Sequence, residues 1–524
     1  MVAKYFRLNL YFWLHKNKEM KFLYNIILIV CLISMTSCRD DFNFEPATGS
    51  ELTFSKDTVY LDTIFSNIGS STYNLKVYNN SNKDIKIPSI RLGKGDNSNF
   101  RLMVDGMPGK SFENIELLAK DSMFIFVETT VDIKQQTNGK EFLYTDEILF
   151  QAGSNQQKVN LVTLVKDAVF LYPQKFQDGS YESITINDDK IYGFFLDEND
   201  ATNGNELEWN NDKPYVIYGY AAVPPNKTLN ISVGTEIHFH RNSALVSFPT
   251  STINAQGSIE TPILFQGDRL EPSFENTPGQ WSGILIGQNS NLNIKNAIIK
   301  NAVNGLLINA NNGTASLENL QIYNCEEAAL LLATAKVTGS NIVTNNCGVA
   351  GLVIANGGTY DFTHCTFANF WSRQNQTAVI MNNGDGSNAF ALNAHFKNSI
   401  IYGNASESLL MVPANKETNF TFKFEYSLVK FQNSANRFDT ANFPYNFSNT
   451  TNFNNCLLAK NFSDHQPYFL NTSKNELMIT DKATSLINYG NPFFAQQAAQ
   501  DLLGKSRLSS ADLGAYQHVS SSAD

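Results

Sequence analysis

The chain of 524 residues is longer than one hydrophobic core usually organises, so we expect two domains, or one domain and an elongated repeat. Asn, Ser, Thr, Gly and Phe are abundant while Lys and Glu are modest, a composition that favours strands and tight turns over helices. The net charge of −10 argues against nucleic acid, itself a polyanion, as a partner.

Residues 1–37 are predicted to be a leader rather than part of the fold. From Met20, a candidate start of the protein, the chain has a lysine, an apolar run from Phe22 to Ile33, and then small residues before Cys38. The apolar run is too short to span a bilayer comfortably, which favours a signal peptide over a transmembrane helix. The leader carries a net charge of +4, so the chain without it would carry −14.

The sequence "MTSC", which ends at Cys38, resembles the lipobox of bacterial lipoproteins, although Met35 stands where an aliphatic residue is preferred. The following "CRDDFNFEP" is similar to the acidic surface-export signals of some Gram-negative outer-membrane lipoproteins. The resemblance implies acylation of Cys38, a tether over residues 38–51, and an outer-membrane lipoprotein exposed on the cell surface. The alternative is a signal peptide that happens to end near a cysteine, followed by an acidic tether.

Residues 52–170 are predicted to form a small β-sandwich. Seven or so short stretches alternate apolar with polar residues, as at Leu75 and Val77, and Asn, Gly and Asp mark the turns between them. The stretch "DTIFSNIGSSTYNLKVYNNSNKDIKIPSI" resembles immunoglobulin-like modules of the Hydin-like (ASH) type. Such modules are mostly spacers or adhesion units, so the resemblance implies no chemistry.

A connector and N-terminal cap (171–215) precede a region of internal repeats (216–480). One motif recurs seven times: "NAIIKN" from Asn296, "NLQIYN" from Asn319, "NIVTNN" from Asn341, "HCTFAN" from His364, "NSIIYG" from Asn398, "YSLVKF" from Tyr426 and "NCLLAK" from Asn455. The first four start 23, 22 and 23 residues apart, and the later ones 34, 28 and 29, which indicates inserted loops. A second element keeps step with the first: "GILI" from Gly283, "GLLI" from Gly305, "ALLL" from Ala329, "GLVI" from Gly351 and "AVIM" from Ala378.

These repeats lack the leucine-rich signature and the helical periodicity of TPR or ankyrin repeats, which leaves a right-handed parallel β-helix as the predicted fold. Each repeat would lay down two or three short strands that bond to the repeats before and after it. The residues expected to point inward are Ile299, Ile322, Thr344 and Phe367. The residues expected to form a column at a bend, where asparagine tolerates the left-handed conformation, are Asn301, Asn324, Asn346 and Asn369.

Further segments resemble the entry coils of the right-handed β-helix repeat family, which is related in shape to pectin-lyase-like proteins. They are "VGTEIHF" (233–239), "AQG" (255–257), "TPILF" (261–265) and "GQWSGI" (279–284). "DLGAYQ" (512–517) is similar to a closing motif of such surface lipoproteins and lies in a predicted C-terminal cap and tail, 481–524. The resemblance implies an all-β chain with a right-handed parallel β-helix preceded by a small β-sandwich. It implies no single activity, because this fold hosts lyases, hydrolases and adhesins.

No catalytic site is evident in the sequence. A polysaccharide lyase or hydrolase on this fold would repeat charged residues at one position of neighbouring repeats, with calcium as a cofactor in a lyase, whereas the charges of the regular repeats look scattered. His238 and His240 lie two residues apart on one strand face, where they could bind a metal, but no third ligand is close in sequence. We therefore expect solvated strand faces, no cofactor and, at His364, a structural role.

Cys325 and Cys347 lie one repeat apart in register, which would suit a disulfide. Cys365 and Cys456 occupy a different stacked position. Small buried hydrophobic residues are the favoured interpretation of all four cysteines, with a Cys325–Cys347 disulfide as the alternative.

The sequence favours a binding or structural role, in which the repeat region contacts glycan or another surface protein. Trp281 and Trp371 are candidate stacking platforms for sugars where they are exposed, and the loops inserted between Phe370 and Asn455 are the expected place for a ligand. The alternative is a polysaccharide lyase or glycoside hydrolase of the same architecture.

Overall fold

Strands account for nearly all of the regular structure, as the composition predicted. A computed structural model describes residues 43–48, 52–309, 311–372, 376–385, 387–415, 417–433, 436–439 and 443–521. Its helical elements are short: the α-helix α1 (Pro492–Ala495) and 3-10 turns at Gly95–Asn97, Ile133–Gln135, Pro272–Phe274, Thr472–Lys474 and Gln496–Ala498. No helix within these residues is long and apolar enough to cross a membrane. The leader and Cys38 lie outside the described residues, so their predicted roles stay predictions.

The chain divides into two units, and the first is built from described residues up to Tyr60 together with Ser71–Thr129 and Thr145–Val162. A five-stranded sheet contains β2 (Leu52–Phe54), β4 (Tyr73–Asn79), β6 (Phe100–Val104), β7 (Met107–Gly109) and β9 (Ser122–Thr129). A six-stranded sheet contains β1 (Glu45–Pro46), β3 (Thr58–Phe65), β5 (Ile85–Leu92), β8 (Ser111–Leu117), β10 (Glu141–Ala152) and β11 (Asn155–Lys166). Phe54 of the first sheet contacts Phe150 of the second, with ring centroids 4.6 Å apart.

The second unit contains a sheet of 26 strands. Its strands before the regular repeats are β12 (Val169–Leu171), β13 (Ser183–Ile186), β14 (Asp189–Phe195), β15 (Glu208–Trp209), β16 (Tyr215–Ile217), β17 (Tyr220–Val223), β18 (Thr228–Ile231), β19 (Glu236–Phe239), β20 (Ala244–Ser247), β21 (Thr252–Gln256) and β22 (Ile263–Gly267). The strands of the repeats and of their inserted successors are β23 (Gly283–Ile286), β24 (Asn291–Lys300), β25 (Leu306–Asn309), β26 (Ala315–Cys325), β27 (Ala328–Cys347), β28 (Ala350–Thr363), β29 (Thr366–Asn369), β30 (Thr377–Asn382), β31 (Leu392–Lys397), β32 (Ile400–Gly403), β33 (Leu409–Val412), β34 (Phe420–Glu425), β35 (Leu428–Lys430), β36 (Phe453–Asn454) and β37 (Leu457–Ala459). A separate two-stranded sheet follows, β38 (Phe469–Asn471) with β39 (Glu476–Ile479).

Parallel pairing within the large sheet follows the sequence repeat. From β16 onward a strand pairs in parallel with a strand that comes one to three positions later in the chain. The five copies of the second repeat element are in register with one another. One residue from each copy is the Cα partner of its counterpart in the next copy: Leu285, Leu307, Leu331, Val353 and Ile380. The all-β prediction is thereby confirmed, and the large sheet contains parallel strands.

The expected inward-facing residues are confirmed. Ile299, Ile322, Thr344 and Phe367 are successive parallel partners, and all are fully buried. Their alternate neighbours Tyr323, Val343 and Ala368 face a second apolar cluster, which is covered by Leu477, Leu502 and Tyr516 from the C-terminal part of the chain. The predicted C-terminal segment thus contacts the side of the large sheet.

The predicted asparagine column is confirmed in part. Asn301, Asn324 and Asn346 have left-handed φ angles of 65°, 55° and 54°, and Asn324 Nδ2 donates to Asn301 Oδ1 at 3.4 Å. Asn369 was wrongly placed in this column. It is fully buried outside the left-handed region, and its amide instead donates to the carbonyls of Cys347 and Thr377 at 2.8 and 2.9 Å.

A second column, which the sequence analysis did not anticipate, is formed by the seven opening residues of the repeat motif. All seven adopt left-handed φ angles between 48° and 55°, including His364 and Tyr426. Asn319 Nδ2 donates to Asn296 Oδ1 at 2.8 Å, and Asn341 Nδ2 donates to Asn319 Oδ1 at 2.7 Å. His364 continues the column through its Nε2, 2.9 Å from Asn398 Nδ2, so its expected structural role agrees with its contacts.

One inserted loop covers part of the main core. Phe431, Phe438, Tyr445, Phe447 and Phe453 form a continuous set of ring contacts, with the closest centroids, those of Phe431 and Tyr445, 4.2 Å apart. The Tyr445 hydroxyl accepts a hydrogen bond from the backbone N–H of Met411 at 2.6 Å. This insertion, one of the loops expected to carry the ligand, buries aromatic side chains against the core, and its role in binding stays a prediction.

Candidate functional site

A groove of about 460 Å³ lies beside Trp371 in the second unit. We call it the Trp371 groove. It is lined by Asn276, Thr277, Pro278, Asn324, Asn346, Phe370, Trp371, Ser372, Thr472 and Ser473. None of these side chains is charged. Aromatic rings, amides, hydroxyls and the ring of Pro278 therefore supply the whole lining.

Hydrogen bonds hold the amides of the groove in place. Asn324 Nδ2 donates to Asn276 Oδ1 at 3.1 Å, and Asn346 Nδ2 donates to Asn475 Oδ1 at 2.8 Å. Asn324 and Asn346 belong to the asparagine column at the bend, which we call the bend column. The left-handed backbone of these residues fixes the direction of their side chains relative to the strands. Two residues of the column predicted at the bend therefore also line the groove.

The backbone around Trp371 is anchored on both sides. Gln376 Nε2 donates to the Trp371 carbonyl at 2.9 Å, and the ring of Phe370 packs edge-on against Phe469 with centroids 5.8 Å apart. Trp371 itself is half-buried. It is thus held by its neighbours while part of its surface reaches solvent, as a stacking platform requires.

Trp281, the other predicted platform, does not meet the condition of exposure. Only 1% of its surface is accessible, because its ring lies parallel to that of Phe239 with centroids 4.1 Å apart. Its indole Nε1 donates to the Lys300 carbonyl at 2.9 Å. Trp281 is therefore a core residue, and a sugar could not reach it in this conformation.

His238 and His240 do not converge on a common point. His238 is buried, with Nδ1 3.2 Å from the Gly267 carbonyl oxygen, whereas His240 is exposed, with Nδ1 2.7 Å from Asp268 Oδ2. Among the described residues, no group of three or more His, Cys, Asp or Glu side chains is placed to hold a metal ion. The calcium expected of a lyase likewise finds no such group in this part of the chain.

A charged cluster that the sequence analysis missed lies on β28, β31 and β34. Asp361, His395 and Lys423 are successive parallel partners, and so are Thr363, Lys397 and Glu425. Lys397 Nζ lies 2.5 Å from Asp361 Oδ1, and His395 Nε2 lies 2.8 Å from Glu425 Oε1. Charged and titratable side chains therefore recur at one position where the repeats carry insertions, whereas the expectation of scattered charges concerned the regular repeats.

Burial, nearby charge and hydrogen bonds shift the pKa values of His395 and Glu425 in the charged cluster. Burial and the nearby Lys397 ammonium lower the pKa of His395, and they outweigh its hydrogen bond to Glu425. Burial alone would raise the pKa of Glu425, but hydrogen bonds from Asn454, Lys423 and His395 together lower it. His395 is therefore favoured in its neutral form and Glu425 in its ionised form.

We expect the stability of the protein to fall as the pH drops below about 6.5, the usual pKa of histidine. Because the pKa of His395 is lowered in the folded state, the unfolded chain binds the proton first, and the stabilisation is lost as the pH falls towards the folded-state pKa. Urea midpoints of the wild type and of His395→Gln at pH 7.5 and 5.5 measure this effect. The variant should lose less stability than the wild type on acidification; an equal loss in both would contradict the assignment to His395.

Another group of exposed rings lies near the start of the large sheet. Tyr181 and Tyr192 are 50% and 44% exposed, and their centroids lie 5.5 Å apart at a near-perpendicular angle. Lys175 Nζ lies 5.5 Å from the centre of the Tyr181 ring. This tyrosine pair is a further aromatic surface, separate in sequence from the Trp371 groove.

Comparisons with known proteins give only partial structural likenesses. No protein-family model matches the chain, and no curated protein is significantly similar to it. A human ASH/PapD-like domain, PapD-like domain 7 of CEP192, is 10% identical with a TM-score of 0.15, covering 25% of this chain and 94% of that domain.

Two further solved structures are similar over about a fifth of the chain. The VesB protease of Vibrio cholerae is 11% identical with a TM-score of 0.16, covering 22% of this chain and 32% of its own. A family 123 glycoside hydrolase from Clostridium perfringens, whose structure describes glycolipid glycan hydrolysis, is 11% identical with a TM-score of 0.15, covering 22% and 26%. The chain thus spans about a third or less of these two proteins, and likenesses of this size support no argument about activity.

Proposed function

We propose that this protein is a carbohydrate-binding lipoprotein of the outer-membrane surface, built from an immunoglobulin-like module of the ASH type and a right-handed parallel β-helix. The parallel register, which joins residues 22 or 23 positions apart in the regular repeats, supports the β-helix. The two sheets of the first unit, with their buried faces meeting at Phe54 and Phe150, support the immunoglobulin-like module. The lipid anchor at Cys38 rests on the sequence before it.

The observation that carries the binding role is the uncharged lining of the Trp371 groove. A sugar ring presents apolar C–H groups on its faces and hydroxyls around its edge. The half-buried indole of Trp371 would offer its exposed part to the C–H groups, while amides and hydroxyls can both donate to and accept from the sugar hydroxyls. Because no charged side chain lines the groove, neutral glycans are the expected ligands, in preference to uronate-containing or sulfated ones.

A glycan array tests this function, run alongside assays for unsaturated products and for new reducing ends. Binding of neutral glycans without product formation is the expected result. Failure to retain any glycan would contradict the carbohydrate-binding role. Tyr181→Ala/Tyr192→Ala serves as the matched variant, since it removes exposed rings elsewhere and should leave binding at the groove unchanged.

The charged cluster favours a second candidate function, a polysaccharide lyase or glycoside hydrolase. His395, held by Glu425 at 2.8 Å and kept neutral, has the protonation state of a general base. The same product assays decide between the two functions. Turnover that is lost in His395→Gln and kept in Trp371→Ala would favour the enzyme.

A further inference from the structure

Two cysteines lie side by side in neighbouring strands of the large sheet. Cys325 ends β26 and Cys347 ends β27, and they are Cα partners in the parallel register. Neighbouring strands lie about 4.8 Å apart, which falls within the Cα separation of about 4.4–6.8 Å that a disulfide spans. The Cα separation of the two residues is therefore compatible with a bond between them.

The two side chains meet inside the main core. Both residues are fully buried and both are free thiols in this structure. A hydrogen bond between the thiols, followed by burial, raises the pKa of Cys325 well above its usual value. The two cysteines thus occupy neighbouring positions of the sheet, in a place shielded from solvent.

The other two cysteines of the described residues provide an internal contrast. Cys365 and Cys456 share one column, but Ser399 and Ser427 stand between them: the backbone N–H of Cys365 donates to Ser399 Oγ, and that of Ser399 donates to Ser427 Oγ, both at 3.1 Å. Three strand spacings separate Cys365 from Cys456, about 14 Å, which is too far for a disulfide.

We propose that Cys325 and Cys347 form a structural disulfide in the exported protein, an inference that rests on the surface location proposed above. A disulfide-bonded oxidant supplies the chemistry. The thiolate of one cysteine attacks the oxidant's disulfide and releases one oxidant thiol; the second thiolate then displaces the other. The new S–S bond forms, the two cysteine protons pass to the oxidant's sulfur atoms, and the oxidant leaves as two thiols. Since the folded core excludes reagents, this exchange takes place during folding.

Oxidative refolding tests the geometry independently of export. The full chain is refolded from denaturant in a mixture of oxidised and reduced glutathione, denatured again, alkylated and mapped by mass spectrometry. The expected result is a cross-linked pair of peptides containing Cys325 and Cys347, with Cys365 and Cys456 alkylated. Cys365→Ser should leave the cross-link intact, whereas Cys347→Ser should leave Cys325 alkylated.

Alkylation of both Cys325 and Cys347 in refolded protein with the strand content of the untreated sample would overturn the proposal. The same map is then made of protein extracted from the cell envelope, with thiols blocked at lysis. A cross-link in both samples supports the proposal. A cross-link formed only in the refolded sample would overturn the export on which the proposal rests, while the pairing geometry would stand.

Discussion

Replacing Phe396 with alanine is expected to lower the free energy of unfolding by about 3–5 kcal/mol. Phe396 is fully buried, and its ring lies 4.7 Å from that of Phe424, 5.4 Å from Phe362 and 6.0 Å from Phe367. These partners come from three other strands, β34, β28 and β29, so the cavity would loosen contacts between strands as well as within one. A urea titration followed by circular dichroism measures the loss.

Phe462→Ala is the matched control for this substitution. Phe462 is 77% exposed, and surface substitutions usually change stability by less than about 0.5 kcal/mol. A similar shift of the urea midpoint in both variants would mean that Phe396 does not pack in the core as described.

Asn319→Ala is expected to cost about 2–5 kcal/mol. The left-handed conformation of residue 319, with φ of 55°, costs a residue other than Gly or Asn about 1–2 kcal/mol. Alanine also removes the side-chain hydrogen bonds to Asn296 and Asn341, each of which contributes about 0.5–1.5 kcal/mol. Urea unfolding of the variant gives the sum of these effects.

Asn319→Gly separates the two contributions. Glycine loses the same hydrogen bonds but adopts the left-handed conformation without strain. Asn319→Gly should therefore be more stable than Asn319→Ala by about 1 kcal/mol, although alanine is usually the better residue in a strand. The opposite order of stability would show that backbone strain does not determine which residues are tolerated in the column of opening residues.

The regular repeats could be predicted because their spacing is short and constant. Between Asn296 and His364 each repeat has 22 or 23 residues, so a one-to-one alignment places Ile299, Ile322 and Phe367 on the same side of the sheet. The same alignment found the bend column through Asn346. It failed at Asn369 because the chain there turns into an inserted loop, and the buried amide bonds to backbone carbonyls instead.

The charged cluster could have been found in the same way but was missed. Asp361, His395 and Lys423 each lie three residues before an opening residue of the repeat motif, so the alignment already contained the register that the strand pairing shows. The Trp371 groove combines five separate segments between Asn276 and Ser473, a juxtaposition that no local pattern encodes. Trp281 shows the opposite kind of error. It was a candidate platform for sugars, but polar neighbours in the sequence do not prove exposure, and its side chain is buried in the core.

Calorimetric titration of the neutral oligosaccharide that binds most strongly on the array tests the central claim most directly. The comparison is between the wild type, Trp371→Ala and the control Tyr181→Ala/Tyr192→Ala. Loss of a sugar–indole contact worth about 1.4 kcal/mol would weaken binding about tenfold in Trp371→Ala, while the control should bind like the wild type. Binding by Trp371→Ala with wild-type affinity would contradict the assignment of the groove as the carbohydrate site.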